Sequence, residues 1–185
     1  MERRELVRWM VASGGLAVLN RLSERDLLSV GEAAHLRATS AFGVLSPAQA
    51  RIVTAAAERI IPRTSTPGAT DANVTAFVDT MLAEWYSPGE SASFLRGLDA
   101  LDVNARNQHT RGFAECSEAE QTALLETQDV AVTERRRSDG AAANAHWFAT
   151  LKYLTVWGYC TSEPGMRQTL RSWPLAMRYD GNAPV

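Results

Sequence analysis

Three histidines, His35, His109 and His146, and two cysteines, Cys116 and Cys160, are the residues of this 185-residue chain best suited to metal ligation or nucleophilic chemistry. Their arrangement favours neither. Ligands on a helix converge on one ion when they stand a turn apart, and no His-x-x-x-His pair occurs. The cysteines form no C-x-x-C or C-x-x-C-H run, so no structural zinc, c-type haem or thioredoxin-like centre is indicated in this chain. His146 lies beside Trp147 and Phe148, which suits a packed, hydrogen-bonded histidine better than a ligand. His109 lies among polar residues and is expected to be solvated. Cys116 precedes Ser117, a helix-capping residue. A helix N-terminus can lower a thiol's pKa, but a quiet, half-buried thiol is the expectation.

Other signatures are absent. There is no G-x-S-x-G, Walker loop or G-x-G-x-x-G. Glu58, Asp71, Asp79 and Glu84 are spaced as helix caps and solvated faces. The residues alone therefore give no catalytic constellation, and no cofactor or metal is expected in this chain.

Composition sets the frame that must hold these residues. Apolar residues make up 45% and charged residues 22%, which is ordinary for a globular chain. The length suffices for one domain with a core of its own. A net charge of −2 gives no field for nucleic acid, so no nucleic-acid partner is expected.

The hydrophobic spacing is helical almost throughout. Ser23 caps a helix through "ERDLLSVGEAAHLRA". Ser46 and Pro47 start "PAQARIVTAAAERI", which Pro62 stops. Asp71 is placed to cap "ANVTAFVDTMLAEWY", and Ser87-Pro88-Gly89 ends it. "ESASFLRGLDALDVNARNQH" should bury Phe94, Leu95, Leu98, Leu101 and Val103. Ser117 and Glu120 have capping-box spacing before "EAEQTALLETQDVAV". A last long helix, "AANAHWFATLKYLTVWGY", leads into Cys160 and a short helix in "EPGMRQTLRSW". The fold expected is an all-α, single-domain bundle of about six to eight helices with irregular loops.

The first residues, "MERRELVRWMVASGGLAVLNRLSERD", place Arg3 and Arg4 before a mildly apolar run containing Gly14 and Gly15. That is the layout of a twin-arginine export signal. Arg8 and Arg21 interrupt or bound the run, and no A-x-A cleavage site follows, so cleavage is not expected. The run is short for a membrane span. An amphipathic first helix burying Leu6, Trp9, Met10, Leu16 and Leu19 is the alternative. The organisation expected is thus an export-signal-like segment over 1–22, a helical domain over 23–175 and a polar tail over 176–185.

Two internal stretches, "LSPAQARIVTAAAERIIPRTSTPGATDANVTAFVD" and "FATLKYLTVWGYCTSEPGM", together with the twin-arginine start, resemble the gluconate 2-dehydrogenase subunit 3 family. The likeness extends over about Phe42 to Met166. It marks Ile60, Ile61, Pro62, Thr66, Pro67, Gly68 and Ala69 in the first stretch. In the second it marks Leu151, Lys152, Leu154, Thr155, Gly158, Tyr159, Thr161, Ser162, Glu163, Gly165 and Met166. Such a resemblance implies a small helical subunit, without catalysis or cofactor of its own, in a bacterial FAD-dependent sugar or sugar-acid dehydrogenase. The large subunit then binds FAD, and a cytochrome c subunit with haem c often carries electrons onward. The small subunit serves maturation and twin-arginine export of the large one, which implies a periplasmic location. If the first segment is only a structural helix, the location is cytoplasmic.

From the resemblance, partner binding is expected at Trp157, Gly158, Tyr159, Cys160, Thr161, Ser162, Glu163, Pro164, Gly165 and Met166, with Pro67 and Gly68. Aromatic side chains are favoured in interface cores, which agrees with this placement. Cys160 stands where the family often has an aromatic residue, and an intersubunit disulfide there is one implication. A stand-alone helical enzyme holding a metal or flavin near His146 is the alternative class. A membrane-surface module using residues 2–22 is a third, so membrane contact is expected at most through that segment.

Overall fold

The computed structural model describes residues 23–38, 42–139 and 146–170. The segments 1–22 and 176–185, with Arg3 and Arg4, lie outside the described residues. Among the described residues there are six α-helices and no strands, so the bundle expected from the sequence is the fold found. They are α1 (Glu24–Arg37), α2 (Pro47–Ile60), α3 (Val74–Glu84), α4 (Pro88–His109), α5 (Glu118–Asp139) and α6 (Trp147–Thr161). A 3₁₀ turn, Phe113–Glu115, precedes α5, and a π-helical turn, Gly165–Thr169, follows α6.

Helix α6 is the axis of the bundle and packs against all five others. Its sequence, "WFATLKYLTVWGYCT", has almost no polar face, and Tyr153 to Thr161 are all buried. A helix that is apolar all round has to be surrounded. Trp157, Leu151 and Leu154 are sealed inside, together with Phe77, Val78 and Met81 of α3 and Leu98 and Leu101 of α4.

The helix starts follow local chemistry. Ser23, Ser46 and Ser87 each cap a helix, with reciprocal bonds from Asp26, Gln49 and Glu90. Ser117 and Glu120 close the capping box expected of them. Each box satisfies two backbone donors that a helix N-terminus leaves without partners.

Four expectations need correction. Ser87-Pro88-Gly89 does not merely end α3. It starts α4, because proline at the first helical position loses no hydrogen bond. Asp71 does not cap α3. The cap position is Asn73, which takes a left-handed conformation (φ 50°) and offers no side-chain bond. Val103 is 56% exposed, since its register on α4 faces outward. Asp79 is not on a solvated face. It is 6% exposed, and its carboxylate accepts the backbone N–H groups of Gly43, Val44 and Leu45 at 2.7, 3.0 and 2.7 Å.

Candidate functional site

Two turns far apart in sequence meet at one side chain. Tyr159, near the end of α6, donates its hydroxyl to the Pro67 carbonyl at 2.7 Å. It also shares a 2.6 Å bond with the Thr169 hydroxyl. A phenol has one proton, so Thr169 is the donor in the second bond. The loop after α2 and the π-helical turn after α6 are thereby joined at one end of the bundle.

The loop is braced from beneath. Glu58, on the last turn of α2, accepts from Arg63 N at 2.8 Å and from Thr70 N and Oγ1 at 2.9 and 2.7 Å. Burial pushes its carboxyl pKa up, but the bonds from Thr70 and Arg63, with Arg59 nearby, outweigh that and leave it lowered. Asp71 accepts from Gly68 N at 2.9 Å and pairs with the Arg63 guanidinium. Gly68 has no room for a side chain: a Cβ would lie 2.3 Å from the Glu58 carboxylate and 2.7 Å from Arg63 N.

The turn after α6 is just as tight. Ser162 donates to the Tyr159 carbonyl at 2.6 Å and accepts from Gly165 N at 3.1 Å. A Cβ on Gly165 would lie 1.9 Å from the Tyr159 carbonyl oxygen. Gly158 faces Phe77, whose ring would stand 2.6 Å from an added Cβ. The glycines of both stretches are thus explained by close approach.

These contacts relocate the expected docking residues. Trp157, Tyr159, Cys160, Thr161, Ser162 and Met166 are all 6% exposed or less, and Gly158, Gly165 and Gly68 are buried too. Only Glu163 is exposed, with Pro164 and Pro67 half-buried. The stretch expected to present a partner surface is core in this structure, because α6 is enclosed by its neighbours. Cys160 is a free thiol whose pKa burial pushes up to about 12. At 6% exposure the thiol is shielded from a partner's sulfur in this conformation.

The histidines also differ from expectation. His109 is not merely solvated; its Nδ1 lies 3.3 Å from Glu120. Glu120 accepts from Ser117 N and Oγ and from Arg111, and these bonds lower its pKa to about 2. His146 caps α6, accepting from Phe148 N at 3.3 Å, as a packed histidine should. His35 was not singled out by its sequence surroundings. Its Nε2 bonds the Gly158 carbonyl at 2.7 Å and its ring lies 4.9 Å from that of Phe77. Glu32 stands three residues before His35, the Glu-x-x-His spacing that ligand pairs use. Among the described residues, however, no three potential ligands converge.

Cys116 is buried, and burial followed by the Glu120 charge raises its pKa, which makes it the quiet thiol expected. The cleft between α2, α5 and α6 is open, and its cations are already paired, Arg59 with Glu118 and Lys152 with Asp129.

A family model described as gluconate 2-dehydrogenase subunit 3 matches residues 47–178. The chain belongs to this family. The match runs from the first residue of α2 through the turn after α6, so it contains both braced segments. The family is one subunit of a dehydrogenase, and its chains assemble with others. No curated protein and no solved structure gives a match. Among the described residues, no helix is long and apolar enough to cross a membrane.

Two measurable consequences follow from this geometry. Tyr159→Phe removes both hydroxyl bonds while keeping the ring, and is expected to cost about 1–2 kcal/mol. Amide exchange should rise in residues 63–69 and 165–169 while α4 stays protected.

The second consequence is a one-directional pH dependence. Burial lowers the pKa values of His35 and His146 below 6.5, the Arg135 charge adding to the effect at His146. The unfolded chain therefore binds more protons just below that value, and stability is lost as pH falls through the folded values. Glu58 and Glu120 are depressed from 4.5, so their contribution is present above 4.5 and lost as pH falls further. Melting temperature should thus fall steadily from pH 7.5 to pH 3, and His35→Gln should flatten the part of the slope between pH 7 and 5. A melting temperature that rises on acidification would contradict these assignments.

Proposed function

We propose that this chain is the non-catalytic small subunit of a FAD-dependent sugar or sugar-acid dehydrogenase. It binds the large flavoprotein subunit and supports its maturation and stability. Arg3 and Arg4 lead the folded pair through twin-arginine export to the periplasm, and a cytochrome c subunit with haem c takes the electrons onward. The family match over most of the chain carries this reading. The hydrogen bonding adds support of a physical kind: the polar groups of Tyr159, Glu58 and Asp79 are spent on bracing turns. Such a chain is built to hold one shape, as a scaffold for another protein must be.

Co-expression tests the proposal. With this chain present, the large subunit should be soluble, hold its FAD and reach the periplasm. Replacing Arg3 and Arg4 by lysines should leave the pair associated but retained inside the cell. A large subunit equally soluble, active and exported without this chain would overturn the proposal.

A further inference from the structure

Helix α1 (Glu24–Arg37) stands between two parts of the chain with different assignments. The export segment proposed for residues 1–22 ends just before it, and the family match begins after it, at residue 47. Neither gives α1 a role. Its contacts do, because it is fastened to the matched region along its whole length. The Trp157 indole N–H donates to the Leu27 carbonyl at 3.0 Å. One turn on, Gly31 sits so close to Thr161 that a Cβ would stand 2.5 Å from its Cγ2. A further turn on, His35 bonds the Gly158 carbonyl at 2.7 Å and lies against the Phe77 ring. Arg37 pairs with Glu84 of α3 at 3.0 Å and closes the row.

The fastening begins at Ser23. Its backbone N–H donates to the Asp26 carboxylate at 3.0 Å, and Asp26 N donates to Ser23 Oγ at 3.3 Å. Leu27, one turn in, is 5% exposed, and Ala34 is fully buried. Where a chain tolerates cutting is set by the burial and hydrogen bonding of the backbone at the cut. A peptidase takes its substrate as an extended strand whose backbone groups bond to the enzyme. From Ser23 to Arg37 those groups are engaged in a capped helix, so a cut there first requires α1 to unwind and leave α6. Its departure would strip the buried Trp157 indole and the buried Gly158 carbonyl of their partners.

We infer that α1 is the fixed joint between the export segment and the folded body: the exported subunit keeps α1 whole, and any leader cleavage falls before Ser23. The inference rests on the proposed function, since it sets the limit of processing for the export signal named there. Such a cleavage is a hydrolysis. One peptide C–N bond breaks, and water supplies the hydroxyl of the new carboxyl end and the hydrogen of the new amine. Upstream of Ser23 that bond can be lost without disturbing any contact described above. Within α1 it cannot, because Leu27, Gly31 and His35 close the same stretch of α6 that carries Trp157, Gly158 and Thr161. The working subunit therefore extends beyond the matched range by the whole of α1.

Two measurements test this. The small subunit is recovered from the periplasm after co-expression with the large one, and its intact mass gives its first residue. That residue should be Ser23 or one before it, and a chain starting at Glu24 or later overturns the inference. Separately, the purified full chain is digested with subtilisin and the fragments are weighed. Cuts within residues 24–37 should be at least about a hundredfold slower in the folded chain than in urea, since proteolysis of a helix follows its open population. His35→Ala removes one fastening and should speed those cuts about tenfold. Cuts as fast in the folded chain as in urea overturn the joint, as does a folded His35→Ala chain cut at the unmodified rate. A chain that never reaches the periplasm overturns the export proposed above, and the digestion then decides the joint by itself.

Discussion

Asp79→Ala is expected to destabilise the chain by about 3–4 kcal/mol, because three backbone donors lose a charged acceptor at once. The carboxylate is 6% exposed and is the hydrogen-bond acceptor for Gly43, Val44 and Leu45. These three residues form the entry to α2, so the bond set pins that entry onto α3. With alanine the buried Leu45 N–H and the half-buried Val44 N–H lose their acceptor, and an unmet buried donor is costly. For a chain of this size the loss corresponds to a fall in melting temperature of roughly 10 °C. Asp79→Asn discriminates the cause. Its carbonyl can keep the Val44 and Leu45 bonds while its amide faces the Gly43 N–H, so it should lose about half as much. Urea melts of both variants against the unmodified chain check the prediction, and equal stability of Asp79→Ala would show that these bonds contribute nothing net.

Trp157→Ala should be at least as damaging, at about 3–5 kcal/mol, by removing a fully buried indole from the axis of the bundle. The ring stands edge-on to Phe77 at 5.5 Å and tilted to Tyr153 at 5.6 Å, so its loss opens a cavity between α1, α3 and α6. It also strips the Leu27 carbonyl of a donor. Trp157→Phe should recover most of the packing but not the bond. The difference between the two variants, read from thermal melts and from exchange in residues 24–37, separates filling from fastening. Helix α1 should exchange faster in both, and the remaining helices chiefly in the alanine variant.

Much of this fold follows from local patterns. Ser46-Pro47 and Ser117 with Glu120 mark helix starts through contacts three residues apart, and such contacts are fixed by the chain near them. The three- and four-residue apolar spacing of Val74, Phe77, Val78, Met81 and Leu82 gave α3 for the same reason. The glycines and the Pro67-Gly68 turn could be singled out as pattern, and the family resemblance could be stated from them. Their purpose could not, because the atoms they make room for come from elsewhere in the chain.

What only the tertiary structure decided is the direction in which side chains face and the partners they find. The run from Trp157 to Met166 has the composition of an interface core and of a protein core alike, since both bury aromatic and small residues. Enclosure by five other helices makes it the latter in the free chain, and it seals the Cys160 thiol. Asp79 and His35 were legible only as polar letters on helical faces. Their partners stand 34 to 36 and 123 residues away, beyond any local rule. The sequence by itself thus determined the helices, the caps at Ser23, Ser46 and Ser117, and the family. The packing of α6 decided which of those residues are surface and which are spent inside, because burial is a property of neighbours that sequence distance does not encode.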